Sequence, residues 1–130
     1  MITVELARAL LANGVLWEPQ AGDRFVIDTE LLTGDVFWIS DLTVEVHTYR
    51  NQSLLGFNGT TEWALDSVTL DQALWLPRED QLRELVGTRL ESVRRTDAGW
   101  EVAYAVQPGD RHTLTDADLE CAYARVILTL

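Results

Sequence analysis

Asp41, Glu45 and His47 form the one carboxylate–imidazole grouping whose spacing suggests chemistry. They interleave with Leu42, Val44 and Val46, so on an extended strand they share a face and could converge on a divalent metal. The same alternation is what any half-exposed antiparallel strand shows. Same-face neighbours stand about 7 Å apart, which makes three ligands from one strand awkward without a bulge. His112 lies near Asp110, Asp116 and Asp118 at a turn-to-helix junction, a setting for an acid–base pair. A helix start explains Asp116 and Asp118 equally well. The one cysteine, Cys121, falls among apolar positions of a helix pattern and reads as a small buried side chain, not a nucleophile. It cannot form an internal disulfide, in keeping with a reducing compartment. No nucleophile elbow, dinucleotide fingerprint or Walker loop occurs. All ten cations are arginine, so no lysine Schiff base or phosphate-loop lysine is available. No cofactor is implied.

Five tryptophans are many for 130 residues. Trp63 and Trp75 stand beside Glu62, Asp66 and Asp71, where an aromatic and acidic surface would suit a protein-binding anchor. Packing of that segment against the core explains them too. Trp100 falls on the apolar side of an alternating run and is expected in the core.

The elements that must position these residues follow from periodicity. Thr3 caps a first helix with Leu6, Ala7, Leu10 and Leu11 as its buried face, and Asn13-Gly14 ends it. Short β-rich runs occupy 24–28, 36–40, 43–50 and 53–58, separated by turn-like clusters. Residues 60–66 and 69–74 read as short helical turns. Leu76-Pro77 opens a helix with Leu82, Leu85 and Val86 as its stripe and Gly87 as its stop. A strand at 89–96 turns through a three-residue loop, Asp97-Ala98-Gly99, into the alternating run Trp100, Val102, Tyr104, Val106. After the Pro108-Gly109-Asp110 turn, 111–114 returns as a strand and Thr115 caps a final helix. Leu119, Ala122, Tyr123, Val126, Ile127 and Leu130 share its apolar face. The order predicts one α+β domain over 1–130, a largely antiparallel sheet packed by N-terminal, central and C-terminal helices.

Composition excludes several classes. At 47% apolar residues the chain is globular, and no apolar run reaches the length that spans a bilayer. The opening residues carry Glu5 and read as an amphipathic helix and not a signal peptide, so a cytoplasmic location is expected. A net charge of −11 repels phosphate backbones and argues against nucleic-acid binding. Arg89, Arg94 and Arg95 interleave with Glu91 and Asp97 and make a solvated edge more readily than a DNA site.

The run from Trp63 to Leu85, with Gly22–Ile27 and Gly56–Glu62 before it, resembles a group of small actinobacterial and Gram-positive proteins labelled pilus assembly proteins of the CpaE type. CpaE proper is similar to a ParA/MinD-type ATPase, which needs a phosphate loop with a lysine. Lacking both, this chain inherits no ATPase residue from the resemblance. The C-terminal G-W-E-V and T-D-A-D-L-E-C-A-Y-A-R-V-I-L also resemble small α/β sandwich domains of phage and mobile-element proteins. Together these readings favour a non-enzymatic protein-interaction or adaptor module, with a protein partner or a homodimer. The alternative is a metal- or ligand-binding protein, or an enzyme, using the Asp41/Glu45/His47 face.

Overall fold

The structure, a computed structural model, describes residues 1–27, 35–39 and 72–130, and the backbone of strands at 44–49, 52–57 and 67–69. The fold is α+β, as the pattern predicts. Its elements are α1 (Val4–Ala12), β1 (Arg24–Ile27), β2 (Val36–Trp38), β3 (Val44–Tyr49), β4 (Gln52–Phe57), β5 (Ser67–Thr69) and β6 (Ala73–Leu76), then α2 (Glu79–Val86), β7 (Leu90–Thr96), β8 (Gly99–Ala105), β9 (Arg111–Asp116) and α3 (Leu119–Ile127). Among the described residues the strands form three antiparallel sheets, ordered β2-β1-β6, β3-β4-β5 and β7-β8-β9. The chain divides into two compact units: Met1–Leu16 with Pro77–Leu130, and Trp17–Leu76.

In the first unit α3 lies against β8 and β9, and α1 and α2 pack on α3. Val102, Ala103 and Tyr104 of the central strand are buried with Ala122, Tyr123, Val126 and Ile127 of α3. Leu82 and Val86 supply the buried stripe of α2, each worth about 2 kcal/mol of transfer free energy. Leu85 and Leu11 are exposed, so the apolar stripes of α2 and α1 are narrower than the spacing predicts. Thr3 caps α1 as expected, its Oγ1 accepting from the Leu6 N–H at 3.1 Å.

Four local expectations are corrected. Pro77 does not begin α2, because Leu76 is still paired with Arg24 in the β ladder. The helix starts at Glu79 after Arg78, whose backbone N–H donates to Gln81 Oε1 at 2.9 Å. Thr115 does not cap α3, because it pairs with Glu101 and β9 runs on to Asp116. Asp118 takes that role, its Oδ1 accepting from the Cys121 N–H at 2.9 Å. The β7–β8 loop has two residues, since Gly99 already pairs with Thr96. Gly99 has φ +123°, and a Cβ there would lie 2.6 Å from Ala117 Cα, closer still to Asp116 O. Finally, the turn expected over 69–74 is shorter than that: Thr69 ends β5 and Ala73-Leu74 begins β6, with Gln72 in a 3-10 turn before it and 70–71 outside the described residues. The 60–66 expectation lies outside the described residues.

Candidate functional site

Directly opposed residues of an antiparallel ladder share a face. Phe25 therefore stands between Phe37 and Trp75 on one face of the β2-β1-β6 sheet, and Arg24 between Trp38 and Leu76 on the other. All four β1 residues are buried, as a central strand covered on both faces requires. On the first face Phe25, Ile27, Ile39 and Ala73 form a core cluster with Trp17 and Phe37 against it. The Trp17 and Phe37 rings lie 5.6 and 5.7 Å from the Phe25 ring.

On the other face a buried charge sits beneath an exposed aromatic. Arg24 is buried, and its Nε donates to the Leu76 carbonyl at 3.2 Å. Its guanidinium carbon lies 5.7 Å from the centroid of the Trp38 ring. Trp38 keeps 56% of its surface exposed. A cation–π contact with a guanidinium that is already anchored holds the indole at little further entropic cost.

Asp23, next to Arg24, is also buried, and its Oδ2 accepts from Trp17 Nε1 at 2.9 Å and from the Gln20 N–H at 3.0 Å. Its backbone carbonyl accepts from the Ile39 N–H at 2.9 Å. Gly22 N–H donates to Ile39 O at 2.7 Å, which ties the loop before β1 to the end of β2. A buried carboxylate thus sets the approach to the strand that carries Arg24.

The residues singled out from sequence scatter. Trp75 is half-buried opposite Phe25, and its indole N–H is buried with no partner among the described residues. Trp63, Glu62 and Asp66 lie outside the described residues. So does Asp41, while Glu45 and His47 occupy β3 opposite Gly56 and Leu54. Among the described residues no group of three His, Cys, Asp or Glu could hold a metal.

The Asp110/His112/Asp116/Asp118 grouping separates into two pairs, His112 with Asp110 and Asp116 with Asp118. His112 Nε2 meets Asp110 Oδ1 at 3.1 Å, and its ring stacks 5.7 Å from Tyr104. Asp116 pairs with Arg125 at 3.1 Å and accepts from the Asp118 N–H at 2.9 Å. Asp118 Oδ2 meets the Met1 ammonium at 2.7 Å. Burial opposes ionisation of Asp118, but the Met1 ammonium and the Cys121 N–H outweigh it and hold its carboxyl below the ordinary value. Cys121 is buried, and desolvation pushes its thiol up, the opposite of an activated nucleophile. Trp100 is half-buried, not core, with the Arg95 guanidinium 5.5 Å from its ring.

Sequence reasoning missed Trp38, Arg24 and Asp23 as a set. Their types were visible; the Arg24–Trp38 pairing depends on a register that no local pattern specifies. Charge follows the division into units. Trp17–Leu76 holds ten acids against Arg24 and Arg50, a net −8, while the other unit holds eleven acids against eight arginines, a net −3. Among the described residues no helix is long and apolar enough to cross a membrane. Compared with protein-family models, curated proteins and solved structures, the chain matches none.

Proposed function

We propose that the protein works in the cytoplasm as a non-enzymatic interaction module, with Trp38 as the anchor that a protein partner covers. The observation that carries this reading is the exposed indole held over the buried Arg24 guanidinium. Large, rigid aromatics account for much of the binding energy where they are covered, and they lose little entropy on docking. The net −8 of the same unit favours a partner with a cationic surface, and such an association weakens as salt rises. An adaptor role in an assembly accords with the resemblance to CpaE-labelled proteins better than a nucleotide-driven one, because no lysine is present to hold a phosphate.

The test is capture from the native host with wild-type and Trp38→Ala bait, read by quantitative mass spectrometry beside thermal melts of both. Trp38→Ala uncovers Arg24 and is expected to cost about 1–2 kcal/mol while the protein stays folded, and to lose at least tenfold of the captured partner. Retention of every partner by a folded Trp38→Ala protein would remove the proposal.

A further inference from the structure

β9 is an edge of the β7-β8-β9 sheet, and among the described residues it pairs with β8 alone. Proteins blunt such edges with bulges, lysines or prolines. The opposite edge has one of these devices: the β7–β8 register shifts between Leu90 and Ser92. β9 has none. Its ladder to β8 is regular over all six residues, it carries no proline or lysine, and Arg111, His112, Thr113 and Thr115 are exposed.

The geometry points to a second copy of this chain as the occupant of that edge, added antiparallel to give a continuous six-stranded sheet. A two-fold axis that joins two antiparallel edge strands is normal to the sheet and keeps each face on its own side. Opposed residues must then share a face, so the axis passes through a residue position and not between two. With the axis at Leu114, three matches arise at once. Val93, Val102 and Leu114 are opposed in turn across β7, β8 and β9, so Leu114 meeting its own copy extends one apolar row across all six strands. Thr113 faces Thr115 of the second copy, a favourable pair of β-branched hydroxyl residues. His112 faces Asp116 of the second copy, a donor against a carboxylate. Moving the axis to Thr113 sets Leu114 against His112 of the second copy and breaks the apolar row, while Asp110 falls against an acid in either register, Asp116 or Asp118. Packing, through the unbroken apolar row, therefore selects the Leu114 register.

Sedimentation equilibrium at a few hundred micromolar tests this with the full chain. Wild type is expected at twice its 14.7 kDa mass. Thr113→Lys/Thr115→Lys and Thr113→Glu/Thr115→Glu each bring like charges together at both facing positions, and each is expected at monomer mass with a wild-type melt. An equimolar mixture of the two is expected to return to dimer mass as the heterodimer. Leu114→Cys tests the register through a separate route: opposed Cα atoms lie within disulfide reach, so mild oxidation should give a reducible dimer. A wild-type protein that remains at 14.7 kDa overturns the proposal, as does a charge variant that dimerises like wild type. A Leu114→Cys protein that stays monomeric after oxidation overturns the register.

Discussion

The two units handle charge in opposite ways. In the unit built on β7-β8-β9, arginines meet carboxylates at the surface: Arg83 with Glu79, Arg94 with Glu101, Arg111 with Glu91 and Arg125 with Asp116, all at 3.0–3.4 Å. Each such pair is solvated and contributes at most about 1 kcal/mol. In the unit built on β2-β1-β6, Asp23 and Arg24 are buried side by side in sequence and are held by indole, amide and carbonyl groups. Removing a partner there weakens the hold on a desolvated charge and costs more than losing a solvated pair. The lesson is that the more acidic unit spends its buried polar groups on fixing one loop and one exposed tryptophan. The better-paired unit leaves its charges on the surface, where they do little for stability.

That contrast is broken most directly by one substitution in each unit. Phe25→Ala empties the centre of the Trp17–Phe25–Phe37 cluster and is expected to cost about 3–5 kcal/mol. Gly99→Ala forces a Cβ onto the backbone at Asp116 and Ala117 and is expected to cost more than about 3 kcal/mol. Trp100 is the one tryptophan of its unit, and Trp17, Trp38, Trp63 and Trp75 belong to the other. In a Trp100→Phe background, indole fluorescence therefore reports the second unit, and circular dichroism reports both. Two separated urea transitions after Gly99→Ala would show that the units unfold independently, and coincident transitions that they unfold as one.

A smaller effect belongs to Tyr123, whose hydroxyl donates to Glu79 at 3.1 Å between α2 and α3. Burial first, and then the Glu79 carboxylate, push its pKa up to about 12 from an ordinary 10. The folded state thus keeps a proton that the unfolded state releases. Stability is expected to fall as pH rises from 10 towards 12, in a melt series that Tyr123→Phe flattens over that window. An unchanged slope in Tyr123→Phe would assign the alkaline loss to other groups.

The smallest effect separates two roles of Asp118. Asp118→Ala removes the α3 cap together with the Met1 contact and should cost about 1–2 kcal/mol. Asp118→Asn keeps a competent cap but loses the charge. Since the Met1–Asp118 pair is exposed, this change should cost under about 1 kcal/mol. Equal losses from the two substitutions would show that charge and not capping is what α3 needs.

Much of this was legible residue by residue. Thr3 as a cap, a strand from Trp100 onward and the buried face of α3 are local patterns, set by backbone geometry within one or two turns. β8 is nonetheless buried on both faces at 102–104, where the sequence alternation implied one. The failures share a cause. Thr115 has the chemistry of a cap and Pro77 that of a first helical residue, but both positions are governed by the strand beside them. Thr115 lies within the ladder to β8, and Leu76, just before Pro77, is still paired with β1. Trp100 has the pattern of a core residue, yet its place near the sheet's end leaves it half-covered by Arg95.

By itself the sequence determined the α+β class, most element positions, the absence of a phosphate-loop lysine and the inert setting of Cys121. These depend on composition and short periodicities. Tertiary structure alone decided that Arg24 lies beneath Trp38, that Asp23 closes its own loop with Trp17, and that β9 is left as a regular edge. Each of those depends on which strand pairs with which and in what register. A shift of one residue would turn every side chain of β1 to the opposite face, and only the packed sheet selects among the registers.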